Sequence, residues 1–148
     1  MKPSNAIITP EGYPLIAYAS GLFLLLSAGT WLLSSPVLAI PAFITLLLLL
    51  FTVYFFRNPD RTPPEDGQIM VAPADGIVVY AGPAVQEHIG QCQKISVFMN
   101  VFNVHVNRAP YSGKIVDSYY REGRFLDARS PRASSENEQM GLVVDLAN

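Results

Sequence analysis

The sequence predicts a membrane-anchored α + β protein: an amino-terminal hydrophobic helical hairpin followed by a mainly antiparallel β barrel or sandwich. Three observations carry this. Charge is almost missing from the first third, where only Lys2 and Glu11 of the 22 Asp, Glu, Lys and Arg residues precede Arg57. Two long apolar runs fill that third. Beyond it, short segments rich in Val, Ile, Phe and Tyr are punctuated by Gly, Pro and Asp, an all-β pattern.

Half of the 148 residues are hydrophobic and the formal charge is −2, a composition too apolar and too uneven for one soluble domain. Tyr13–Leu33 runs for 21 residues without a formal charge and Val37–Phe56 for another 20. Each is long enough to cross a hydrocarbon core of about 30 Å. Ser34, Ser35 and Pro36 break the two runs. Residues 1–56 therefore read as an anchor of two helices, 13–33 and 37–56, with both ends on one side. A signal peptide would be shorter and would not be followed at once by a second run. A re-entrant hairpin that does not fully span stays open, because the turn is tight and Pro41 interrupts the second run.

Lys2, Arg57 and Arg61 fall on the same side of this hairpin, and the positive-inside tendency places that side in the cytoplasm. Tyr54, Phe55 and Phe56, followed by Arg57, suit the interfacial end of a helix. Cys92 is the only cysteine. A lone thiol offers no intramolecular disulfide, agrees with a reducing compartment and excludes a cysteine-rich zinc site. Neither a metal nor a nucleic-acid partner is expected.

Residues 57–66 form a Pro-rich linker, and 67–148 form a β-rich domain. The strands expected there are Ile69–Ala72, Ile77–Ala81, Lys94–Asn100, Val101–Ala109 and Lys114–Tyr120, with Leu142–Leu146 a weaker sixth. Val85–Gln93 is polar and reads as a hairpin tip, where His88 is solvated. An internal echo links Ala72–Val79 (APADGIVV) to Ala109–Val116 (APYSGKIV). Proline presets a turn, Asp or Ser bonds back to the backbone, and Gly tolerates unusual dihedrals. Each copy therefore turns the chain into a new strand. Asp75 needs no role beyond that turn on this reading.

Ser135-Glu136-Asn137-Glu138 matches a capping box. No long apolar helix pattern follows, so a turn or one short helical piece is expected. Arg121, Arg124, Arg129 and Arg132 suit lipid phosphate. Asp117, Glu122 and Asp127 are interleaved with them, which favours a solvated mixed-charge loop.

The stretch Met99–Pro110, MNVFNVHVNRAP, carries the chemistry. Read as a strand, its period of two puts Phe102, Val104 and Val106 on one side and Asn103, His105 and Asn107 on the other. Three hydrogen-bonding groups on one face, one an imidazole able to titrate near neutrality, make either a reactive site or a solvated sheet face. The anchor some forty residues upstream favours the site.

Taken in order, FFRNPDRTPP, VAPADGIVV, SVFMNVFNVHVNRAPYSGKIV, YYREGRFLDA and ASSENE resemble the short bacterial and archaeal form of phosphatidylserine decarboxylase, from about Phe55 to the end. The resemblance implies a proenzyme that cleaves itself at a Gly-Ser bond into a β chain and an α chain. The Ser becomes a covalent pyruvoyl group heading the α chain. Its ketone forms a Schiff base with the amine of phosphatidylserine; CO2 is lost, and phosphatidylethanolamine is released after reprotonation and hydrolysis. The pyruvoyl carries the chemistry and the protein positions it.

Carried over by position, His105 falls at the family's motif histidine and is the candidate for proton transfer to the substrate carbon or during self-cleavage. Asp75 falls at the PADG aspartate. In long-form relatives that acid belongs to an Asp-His-Ser arrangement that promotes cleavage, and a second histidine lies three positions after the first. Here the second position is Arg108, so the same triad is not available. Asn107 and Arg108, with Arg57, are candidates for binding the serine carboxylate or the phosphate. The implied partners are membrane phosphatidylserine and the α chain, and homo-oligomerisation stays open. The implied location is the cell (inner) membrane, with the soluble domain facing the cytoplasm.

No Gly-Ser dipeptide occurs in the chain, so no pyruvoyl serine is present. The expectation is a β-chain portion, incomplete at its carboxy-terminal end and inactive alone. A membrane-tethered β-domain adaptor without chemistry, and a decarboxylase for another serine lipid, are the competing readings.

Overall fold

A computed structural model describes residues 6–64, 69–87 and 89–146 of the chain. Lys2, His88, the linker's last positions 65 and 66, and Asn148 lie outside the described residues. The chain divides into two compact units, Met1–Thr62 with Val101–Val106, and Pro63–Asn100 with Asn107–Asn148.

The first unit is a helical hairpin. Helix α1 is Gly12–Leu32, and after a 3-10 turn at Pro36–Leu38, helix α2 is Ala39–Phe55. Pro14 and Pro41 do not break them, because each lies in a first turn, where the missing N–H has no partner to lose. The reversal after α1 follows a Schellman pattern. Ser34 N–H donates to the Trp31 carbonyl at 3.4 Å and Ser35 N–H to the Thr30 carbonyl at 3.2 Å. Ser34 sits there at φ 48°, a conformation usually given to glycine.

The two ends of the hairpin meet. Ile8 and Arg57 form an antiparallel bridge, Thr9 N–H donates to the Phe56 carbonyl at 2.9 Å, and Asn58 N–H donates to the Ile7 carbonyl at 2.7 Å. The expected hairpin with both ends together is thus observed. Gly12 makes the approach possible, since a Cβ there would sit 2.6 Å from the Phe56 Cβ. Ala42 and Thr45 are buried between the helices, whereas Trp31, Leu33, Ile40 and Phe43 are exposed. Thr30, Thr45 and Thr52 donate to the carbonyls of Leu26, Pro41 and Leu48 at 2.9, 2.8 and 2.7 Å, so these hydroxyls are satisfied without water.

The second unit holds two antiparallel hairpins. Strand β1 (Ile77–Gln86) pairs with β2 (Gly90–Phe98), and β3 (Gly113–Arg121) pairs with β4 (Gln139–Leu146). Each is a separate two-stranded sheet, so the expected barrel or sandwich is not closed here. The hairpin tip is narrower than Val85–Gln93, because Val85 pairs with Gln91 and Gln86 with Gly90.

The APxxG echo is a structural repeat. Gly76 and Gly113, 37 positions apart, open β1 and β3 against the partner backbone. A Cβ on Gly76 would meet the Phe98 carbonyl oxygen, and one on Gly113 would lie 2.5 Å from the Asp145 oxygen. The register then slips at Val79 in one hairpin and at Val116 in the other, also 37 apart. Between the copies, Val71 N–H donates to the Pro110 carbonyl at 2.9 Å and Arg108 N–H to the Pro73 carbonyl at 2.8 Å. Equivalent residues exchange equivalent bonds, the mark of a local two-fold relation.

That junction corrects the expected strand Ile69–Ala72 and the end of Val101–Ala109. In a regular antiparallel pair residues 73 and 110 would each return a bond. Both are proline and have no N–H to give. Only half a ladder forms, and neither segment becomes a strand. The short helix α3 (Ala133–Glu136) answers the expected helical piece, but Ser135 lies inside it and no side chain caps it, so the capping box is not realised.

Candidate active site

The motif segment Val101–Val106 is a turn and extended coil packed with the helices, not a strand. Its anchor is the carbonyl of Phe102. Arg57 donates to it from Nη2 at 2.7 Å and Tyr54 from its hydroxyl at 3.2 Å. Arg57 also donates from Nη1 to the Tyr54 carbonyl at 2.7 Å, and its guanidinium lies 3.8 Å from the Tyr54 ring centroid. A cation here suits the carbonyls left open at the end of α2. The ring of Phe102 meets Phe51 edge-on at 6.4 Å.

Burial along the segment keeps part of the expected alternation. Val104 is buried, with 2% exposure, Val106 is half-buried, and His105 and Asn107 are exposed. Phe102 departs from the pattern and is exposed. The His105 ring stacks on Phe55 at 4.4 Å between centroids and 25° between planes. Its Nδ1 lies 3.1 Å from the Asn103 carbonyl oxygen. A carbonyl can only accept, so Nδ1 carries the hydrogen. The Nε2 lone pair of the neutral ring is then left as an acceptor.

Of the sequence-selected residues, His105 and Arg57 therefore share the first unit, joined through Phe102. Asp75, Asn107 and Arg108 belong to the second. Asp75 is half-buried in the bend before β1, and the Arg108 backbone bonds to Pro73 in the same bend. Phe55, Tyr54 and Phe102 were not selected as site residues. YFFR reads in sequence only as an interfacial belt, and the long-range contact to residue 102 leaves no local signal.

The arginines of the 121–132 stretch are engaged with acids where contacts are seen. Arg129 Nη2 lies 2.6 Å from Asp127, Arg132 binds Glu136 through Nε and Nη2, and Arg124 lies 3.5 Å from Glu136. This is the mixed-charge loop. Its hydrogen bonds from Arg129 hold the Asp127 carboxyl down at about 2. Among the described residues no group of three or more His, Cys, Asp and Glu is placed to hold a metal ion.

Comparison with known proteins bears on this geometry. Residues 48–148 match the family model described as phosphatidylserine decarboxylase. The phosphatidylserine decarboxylase proenzyme of Trichlorobacter lovleyi is 65% identical over 148 residues, covering 100% of this chain and 68% of that protein. Those of Geobacter sulfurreducens and Geobacter metallireducens are each 50% identical, covering 99% of this chain and 67% of theirs. No solved structure matches. The chain spans about two-thirds of the length of these relatives. It belongs to the phosphatidylserine decarboxylase family.

Proposed function

We infer that this chain serves the decarboxylation of phosphatidylserine to phosphatidylethanolamine, as the amino-terminal two-thirds of a pyruvoyl-dependent lyase. The observation that carries the reading is the 65% identity to a phosphatidylserine decarboxylase proenzyme along the whole chain. The pyruvoyl group supplies the electron sink for loss of CO2. With no Gly-Ser in the sequence, none of these 148 residues is read as its source. A chain bearing that group is the partner required.

His105 is the proton-handling residue on this reading. Its Nδ1–H is committed to the Asn103 carbonyl, which directs proton exchange to Nε2. Asp75 acts in the same reaction from the bend before β1, and Asn107 and Arg108 bind the serine carboxylate or the phosphate. Helices α1 and α2 embed as a hairpin, with the soluble part in the cytoplasm. Supporting this, α1 and the continuous helical segment Pro36–Phe55 are long and apolar enough to span, and their threonines bond internally.

The test joins this chain to the carboxy-terminal third of the Trichlorobacter lovleyi relative and measures ethanolamine lipid formed from phosphatidylserine in vesicles. Product is expected, and His105→Ala should lower the rate by about 10²–10⁴-fold, the range for a lost proton-transfer group. A completed protein that cleaves itself yet forms no product would refute the reading.

A further inference from the structure

We propose that Phe55 and Arg57, at the end of the second apolar helix, are positioning residues for His105, so that the anchor builds part of the site instead of only tethering it. The proposal rests on the reading of His105 as a proton-handling group. His105 is exposed and lies on coil, so no strand ladder fixes its backbone. Two contacts from the end of α2 and the residues just after it replace that ladder. Arg57 and Tyr54 both donate to the Phe102 carbonyl, which holds the segment three residues before the histidine. Phe55 then lies flat against the imidazole, 4.4 Å away and 25° from parallel.

The internal bond to Asn103 sets which nitrogen carries hydrogen, and the stack sets the ring plane. Together they determine where Nε2 points. Arg57 has both terminal nitrogens directed at carbonyls, of Tyr54 and Phe102, with its face on the Tyr54 ring. That geometry makes it a clamp on the backbone. An ammonium in its place would lack the planar fork that reaches two carbonyls at once. Because Phe55 and Arg57 end a helix suited to cross a bilayer, the imidazole is carried at the depth of that helix end. A substrate whose reacting group lies at the membrane surface meets it there.

The experiment has two readouts. In the 148-residue chain in detergent micelles, the His105 ring protons should show an upfield ring-current shift. Phe55→Leu should abolish it and Phe55→Tyr should keep it, with the Val104 methyl shifts reporting that the segment is still folded. In the chain completed with a pyruvoyl-forming carboxy-terminal part, a short-chain, micelle-dispersed phosphatidylserine removes any tethering effect. There Phe55→Leu and Arg57→Lys should lower kcat by about 10–100-fold, the cost of a misplaced reacting group, with KM within about twofold. Phe55→Tyr should restore kcat to within about threefold. An unshifted His105 in the unaltered chain, or full kcat in Phe55→Leu, would overturn the proposal. A completed chain that shows the shift but no decarboxylation would support the placement while overturning the functional reading beneath it.

Discussion

Asp127 and Arg129 close a short turn in which one carboxylate accepts from three donors of the residue two positions on: its backbone N–H at 2.9 Å, Nε at 3.1 and 3.2 Å to the two oxygens, and Nη2 at 2.6 Å. These bonds to the charged form lower its pKa from 3.8 to about 2. A depressed carboxyl pKa means that the unfolded chain takes up the proton first. The turn's contribution is therefore complete above about 3.8 and is lost as pH falls through about 2. Both groups are open to solvent, so the contribution to global stability is small. A carboxyl 13C titration should place the Asp127 midpoint near 2, and Arg129→Ala should return it toward 3.8. A midpoint unmoved by that substitution would remove the ion pair as the cause. At this scale family motifs single out His105, Asp75 and Arg108 as candidates. They give no sign of the Phe55 stack, because ring contacts between residues 50 positions apart depend on folding.

The helical hairpin and the two β-hairpins are determined by different physics. Leu33–Pro36 ends one helix and starts the next through backbone bonds, and the cost of that reversal falls on Ser34 at φ 48°. Left-handed backbone costs a non-glycine residue about 1–2 kcal/mol. Ser34→Gly should raise the thermal midpoint of the hairpin in micelles, with a gain of roughly 0.5–1 kcal/mol after glycine's own flexibility is set against it. In β3, a Cβ on Gly113 would lie 2.5 Å from the Asp145 oxygen and 2.6 Å from a Val144 methyl. Gly113→Ala should destabilise by about 1–3 kcal/mol through this overpacking. Gly21, with nothing within 4 Å, should accept alanine with a small gain. Equal effects at the two sites in denaturant melts would contradict the close approach seen at β3. The APxxG echo made the repeat legible in sequence. The paired register slips at Val79 and Val116, and the missing proline bonds between copies, arise only from strand pairing.

Over the whole molecule the apolar surface is uneven. The helices expose many of their Leu and Phe side chains, and the hairpins leave Ile77, Val79, Ile95 and Met140 open as well. Two-stranded sheets are marginal alone. This agrees with a chain that covers about two-thirds of its relatives' length. Cys92 is the only thiol in the sequence and lies on β2, which allows a direct test of the proposed orientation. In intact cells a membrane-impermeant maleimide should leave Cys92 unlabelled, and in inverted vesicles it should label it. Labelling from outside intact cells would reverse the orientation.

Composition and periodicity alone determined the two apolar helices, the turn between them, and all four paired strands in outline, with Leu142–Leu146 the weakest of them. Each depends on residues close in sequence: uninterrupted hydrophobicity, Ser-Ser-Pro, and β-branched runs bounded by Gly and Pro. Family motifs marked the histidine and the aspartate as candidates. Tertiary structure decided that Val101–Val106 leaves the sheets for the end of α2. The reason is competition for one backbone group. The Phe102 carbonyl takes its donors from Arg57 and Tyr54 rather than from a neighbouring strand, while Pro73 and Pro110 withhold the bonds that would have extended the ladder beyond it.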